Sequence, residues 1–147
     1  MAKKKEHSKA GGAREALLSM IKEEQLNSGY VADKAMAEIA RTLGLPVSDV
    51  YGVATFYSFL STTPTGKHVI RVCESVPCCL RDAEMIIAQI RGELGIAPGE
   101  TTSDGRFSLE LTNCIGACDQ APAMLVDDEV HGGLTPENIV EILRSYD

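Results

Sequence analysis

Two groups of cysteines constrain this chain more than any other feature. Cys73, Cys78 and Cys79 fall within RVCESVPCCLRDAE, and Cys114 and Cys118 follow in LTNCIGACDQAPAM. Any fold the chain adopts has to account for two thiol-bearing segments far apart in sequence. Five cysteines is an odd number, and no apolar run follows the basic start MAKKKEHSKAGGAR that could serve as a secretory signal. The chain therefore reads as cytoplasmic, where thiols stay reduced, which argues against a disulfide framework. Clustered thiols under reducing conditions bind metal or carry redox chemistry.

At 147 residues with 44% apolar content the chain can bury a core. It has no stretch near the ~18 apolar residues that a membrane-spanning helix requires. Its net charge of -7 is unevenly spread: residues 1–14 hold five Lys or Arg against one Glu, and the rest holds nine basic and twenty acidic groups. An acidic body of this kind argues against nucleic-acid binding, which calls for a basic face. Residues 1–12 read as a disordered, solubilising basic tail.

Residues 13–60 read as a small helical bundle. AREALLSMIKEEQLN sets Leu17, Met20 and Ile21 at helical spacing. Asp33 is placed to cap KAMAEIARTLG, whose Met36, Ile39, Ala40 and Leu43 share a face, and Gly44 and Pro46 end it. Ser48 or Asp49 opens a third segment, VYGVATFYSFL, whose Tyr51, Phe56, Tyr57 and Phe59 are expected mostly in the bundle core. STTPTG (61–66) is a linker, with Pro64 and Gly66 as breakers.

Residues 67–147 change character. KHVIRV (67–72) predicts a strand ending at Cys73, and residues 80–95 predict a helix beginning just after Cys78. FSLEL (107–111) alternates as a half-buried strand, and AMLV and EVHG flank Asp127-Asp128 as a hairpin. Thr135 caps and Pro136 opens a last helix, PENIVEILRSY. Strand, helix, three strands and helix is the element order of a small thioredoxin-like α/β fold, so the fold class is α/β with a helical bundle in front.

In that fold the loop after Cys73 and the loop holding Cys114 and Cys118 lie at one end of the sheet, and four thiolates can converge. A 2Fe-2S cluster takes four cysteine sulfurs, and its negative charge calls for backbone N–H donors around it. The N-terminus of the helix after Cys78 and the Ile115-Gly116-Ala117 loop could supply them, with Gly116 letting the chain pass close. Two other readings stay open. A structural zinc site would also use four thiolates, although zinc hooks are usually C-x2-C and the pairs here are C-x4-C and C-x3-C. A thiol redox protein could use Cys78 or Cys79, although no C-x-x-C is present. Within the doublet, Cys78 is taken as ligand and Cys79 as bystander.

The segments GYVADKAMAEIARTLGLPVSDVYGVATFYSFL, GKHVIRVCESVPC and CIGACDQAPAMLVDDEVHGGLTPE resemble the small thioredoxin-like 2Fe-2S subunit that accompanies an NADH-oxidising flavoprotein. That family occurs in respiratory complex I, in NAD(P)-linked and electron-bifurcating hydrogenases, and in NAD-dependent formate dehydrogenases. The resemblance covers about residues 13–146. It implies one 2Fe-2S cluster bound by Cys73, Cys78, Cys114 and Cys118, and a bundle that docks on a flavoprotein subunit carrying FMN and iron-sulfur clusters. Departures from the family are Asp82, where glycine is frequent, and Asp119-Gln120 after the last cysteine; carboxylates there should oppose reduction.

The chain lacks a dinucleotide glycine fingerprint and a spacing that would support a Ser-His-Asp triad. His7, His68 and His131 read as surface or packed residues. NAD(P)H and flavin then belong to the partner, and this chain is a non-catalytic electron carrier in a hydrogenase, formate dehydrogenase or complex I assembly. The brevity of the chain favours the soluble hydrogenase or formate dehydrogenase over complex I.

Overall fold

The computed structural model describes the backbone of residues 3–146 and the side chains from residue 15 onward. It divides into two compact units, Met1–Pro64 and Thr65–Asp147.

The first unit is helical. α1 runs Lys3–Ser28, α2 Asp33–Leu43 and α3 Val47–Phe56. α1 takes in residues 3–12 of the segment expected as a basic tail. Residues 3–12 are helical, because Lys, Glu and Ala extend the helix and Gly11-Gly12 costs only about 1 kcal/mol per glycine. Residues 1 and 2 lie outside the described residues. α2 begins one residue earlier than expected: Ala32 is its N-cap, and Asp33 sits in the first turn, where a negative charge suits the helix dipole. Gly44 closes α2 at φ 64, bonding back to Ala40 and Arg41. Leu17, Ile21, Val31, Met36, Ile39, Ala40, Val50 and Ala54 form the core of this unit.

The aromatic run behaves differently from expectation. α3 buries Val50 and Ala54, one turn apart. That stripe leaves Tyr51, Phe56, Tyr57 and Phe59 outside the core, with Phe56 79% exposed.

The second unit is built on a four-stranded sheet of β1 (His68–Cys73), β2 (Phe107–Thr112), β3 (Met124–Val126) and β4 (Glu129–His131), in the order β2-β1-β3-β4. β1 and β2 pair in parallel, with His68 opposite Phe107 and Cys73 opposite Thr112. β3 runs antiparallel to both β1 and β4. The helix expected over residues 80–95 begins only at Ala83, as α5 (Ala83–Leu94), and a separate single turn, α4 (Val76–Cys79), precedes it in the segment expected as the loop after Cys73. The break is Asp82, which sits in the left-handed region at φ 61 and interrupts the helical path. α6 (Pro136–Ser145) closes the chain with a capping box between Thr135 and Asn138.

Alternation along the strands sends Ile70, Val72, Phe107, Leu109, Met124 and Val126 into one core, where they meet Ile86 and Ile90 of α5 and Ile139 and Leu143 of α6. Arg71, on the other face, is buried and pairs with Glu110 at 2.9 Å. The two strand histidines are packed residues. His68 Nδ1 lies 2.7 Å from Asp127 Oδ2, and His131 Nε2 lies 2.9 Å from the Tyr146 hydroxyl. Asp127 also accepts from the Val69 N–H at 2.9 Å, which ties the hairpin to β1.

Candidate iron-sulfur site

The register of the sheet decides where the cysteines go. Because β1 and β2 are parallel and end together at Cys73 and Thr112, the loops that follow them leave the same edge. β3 is antiparallel to β1, with Met124 opposite Val72, so the chain enters β3 at that edge too. Backbone bonds pin the three together: Cys73 N–H donates to the Ala123 carbonyl at 3.2 Å, and Glu74 N–H to the Thr112 carbonyl at 3.0 Å. Cys78 is carried by α4, Cys114 by the loop after β2, and Cys118 by a 3-10 turn, Cys118–Gln120.

The four thiols form two pairs of opposite exposure. Cys73 and Cys78 are buried, at 1% and 2% exposed, in a small apolar cluster with Ala83, against which Ile115 and Ala121 pack. Cys114 and Cys118 are exposed, with their sulfurs 3.4 Å apart. Cys79 is exposed as well and turns away from Cys78, its thiol donating to the Glu74 carbonyl at 3.0 Å.

The electrostatics shift Cys73, Cys78 and Cys118. Burial alone would raise the Cys73 thiol, but hydrogen bonds from the Ser75 backbone, the Cys78 thiol, the Ile115 backbone and the Ser75 hydroxyl together hold it below the ordinary thiol range. Cys78 is pushed up by burial, by its hydrogen bond to Cys73 and by the charges of Cys73 and Cys118, against one lowering contact from the Ala123 backbone. Cys118 is pushed up by its hydrogen bond to Cys114, by desolvation, and by the charges of Cys114, Cys73 and Asp119. Gly116 N–H adds a bond to the Cys114 sulfur at 3.4 Å. Its φ of 87 is what demands glycine, since an added Cβ would meet no protein atom within 4 Å.

The donors around the sulfurs are therefore loop N–H groups. The N-terminus of a helix after Cys78, expected to supply them, does not stand there, because Cys78 lies inside α4 and α5 begins only at Ala83. Among the described residues no three His, Cys, Asp or Glu side chains form a ready cage for a single metal ion. Two pairs of thiols suit a binuclear centre that takes two ligands on each iron. The donor set fits such a cluster: soft sulfur ligands only, backbone N–H groups directed at them, and one pair shielded from water.

A thioredoxin-like unit with paired thiols at one sheet edge defines an iron-sulfur protein of the ferredoxin class. The chain belongs to the thioredoxin-like [2Fe-2S] ferredoxin family, whose model matches residues 2–147. It is 44% identical over 133 residues to the E subunit of the NADH-quinone oxidoreductase of Pseudomonas aeruginosa, and 47% identical to the protein of that name from Escherichia coli strain K12. Each match covers 90% of this chain and 80% of the relative. A crystal structure of an NAD+-reducing [NiFe]-hydrogenase in the air-oxidised state superposes with a TM-score of 0.74 over 86% of this chain, at 23% identity. The chain spans only 22% of that hydrogenase chain, and the likeness speaks for the fold. No helix among the described residues is long and apolar enough to cross a membrane.

Proposed function

We propose that this chain is the electron-carrying 2Fe-2S subunit of an NADH-quinone oxidoreductase, exchanging single electrons with the flavin of a partner subunit. The observation that carries the reading is the meeting of two thiol pairs at one edge of a thioredoxin-like sheet. Cys73 and Cys78 would hold one iron and Cys114 and Cys118 the other. When bound, the cluster supplies one-electron redox chemistry. The chain's own residues position the four sulfurs, direct N–H groups of Ser75, Ile115, Ala123 and Gly116 toward them or toward the charge they carry, and keep water from the inner pair.

NAD(P)H and FMN belong to a flavoprotein partner, which itself holds further iron-sulfur clusters. The exposed aromatic residues of the helical unit support that partnership. Tyr51, Phe56, Tyr57 and Phe59 leave apolar surface uncovered that a docked subunit would bury. A soluble hydrogenase or formate dehydrogenase is the other assembly the family resemblance allows. The relatives at 44% and 47% identity favour the quinone-linked assembly instead.

The test is iron, acid-labile sulfide and EPR on the anaerobically purified chain, with Cys78→Ser and Cys79→Ser beside it. Two irons and two sulfides per chain and a signal only after reduction are expected for the parent and for Cys79→Ser, with loss in Cys78→Ser. A colourless parent, or loss in Cys79→Ser with retention in Cys78→Ser, refutes the assignment.

A further inference from the structure

The single turn α4 has two sides of opposite character. One sends Cys78 into the apolar cluster with Cys73 and Ala83. The other carries Val76, and Leu80 follows it one turn on, its N–H bonded to the Val76 carbonyl at 2.9 Å. These two side chains are 69% and 79% exposed, and Met85, in the first turn of α5, is 50% exposed. One apolar side chain left in water is ordinary. Three within residues 76–85, on the segment that carries Cys78, make surface of the kind a partner covers.

The charges beside this surface decide what the partner is. Glu74, Asp82, Glu84 and Asp119 are exposed on the segments that hold the cysteines, with Arg81 as the one cation there. A second copy of this chain would bring the same acidic groups face to face, and anionic lipid or nucleic acid would meet the same repulsion. A cationic protein surface is attracted instead, and the negative charge of a bound cluster adds to the pull. The exposed thiols Cys114 and Cys118 follow β2 at the same sheet edge, so a protein seated there stands beside the ligating sulfurs.

We propose that this edge is a docking face for a cationic protein carrying a one-electron centre. Val76 and Leu80 are its apolar middle, and Glu74, Asp82, Glu84 and Asp119 are its acidic rim. The inference rests on the cluster reading above, and it gives the thioredoxin-like unit a contact of its own beside the aromatic surface of the helical unit. No bond forms or breaks on transfer: the partner's centre loses the electron that this chain gains, or the reverse.

The test uses cytochrome c, a basic protein with a one-electron haem, as the probe. Full-length holoprotein is reduced with dithionite, freed of excess reductant and mixed with ferric cytochrome c in stopped flow, each chain giving one electron to one haem. Beside the parent stand the double variant Val76→Ser with Leu80→Ser, Glu84→Lys, and Glu38→Lys on α2, which alters net charge equally. Iron and sulfide are measured on each. The parent rate should fall as salt is added, and Glu84→Lys should lower it about five-fold at low salt, because rim charges act on association. The double variant should need about ten-fold more cytochrome c for half-maximal rate. Glu38→Lys should stay within about two-fold of the parent. Equal slowing by Glu38→Lys and Glu84→Lys reduces the effect to net charge and overturns the proposal, as does a double variant with parent kinetics. A holoprotein dimer in light scattering that the double variant abolishes assigns the face to a second copy, and overturns it too. Loss of iron in the double variant does the same, since Val76 and Leu80 would then be supports of the site. A parent chain without iron and sulfide instead removes the cluster reading itself, before any rate is compared.

Discussion

Gly132 follows β4 at the point where the chain presses against the turn that carries Cys118. A Cβ added there would stand 2.5 Å from the Gln120 Cβ, 2.9 Å from its Oε1 and 3.0 Å from its carbonyl oxygen. Carbon atoms do not approach that closely, so in Gly132→Ala either the end of β4 or the turn Cys118–Gln120 must move. Escape is restricted, because Gly133 N–H is bonded to the Gln120 carbonyl at 2.5 Å. Gly132 is not among the positive-φ glycines, so the penalty is steric rather than conformational. Overpacking of this kind costs about 1–3 kcal/mol. A loss of about 2 kcal/mol lowers the melting temperature by about 8 °C at some 4 °C per kcal/mol. Because the displaced turn holds Cys118, cluster occupancy should fall along with stability. Calorimetry and iron content per chain read the two effects. Gln120→Gly removes both the Cβ and the Oε1, so the double variant should recover most of what Gly132→Ala loses, measured as a coupling between the two sites. A Gly132→Ala protein that melts like the parent with full iron refutes the steric reasoning. So does a double variant whose losses simply add.

Asp119 contributes to the rise of the Cys118 thiol through its charge, and the same charge opposes an incoming electron. Asp119→Asn should raise the midpoint potential, less so at high salt; a redox titration showing no rise would dismiss the charge as a tuning element. Asp82 occupies the left-handed region at φ 61 without capping α5 through its side chain. Asp82→Gly should therefore stabilise the fold by about 0.5–1 kcal/mol in urea unfolding, and a destabilised variant would show that the aspartate makes a compensating contact. Tyr146 is pushed up to about 12 by burial, by its hydrogen bond to Glu129 and by the charges of Glu129 and Asp127. Since the folded state favours the neutral phenol, its contribution is complete below about pH 10 and is lost as pH rises toward about 12. Phenolate absorbance should show a late-ionising component that vanishes in Tyr146→Phe, and a parent whose titration is unchanged by that substitution would contradict this.

The local periodicities in the sequence were enough to determine most of the elements. Alternation in FSLEL gives β2, Thr135-Pro136 opens α6, and the Asp127-Asp128 turn makes the hairpin, because each is decided by bonds made within a few residues. Spacing likewise separated the four cysteines from a C-x-x-C redox motif. What only the tertiary structure decided lies where distant segments compete. The break at Asp82 shortens the helix behind Cys78, and the stripe chosen by Val50 and Ala54 turns the aromatic residues outward. The distinction between Cys78 and Cys79 is of the same kind. Neighbours in sequence, they differ because the single turn α4 aims one sulfur into the apolar cluster with Cys73 and Ala83 and the other at the Glu74 carbonyl. The C-x4-C spacing names Cys78, but the opposite exposure of the two sulfurs is set by the fold. It arises from the parallel register that brings Cys73 and Thr112 to one edge, and hence from pairing between strands more than thirty residues apart.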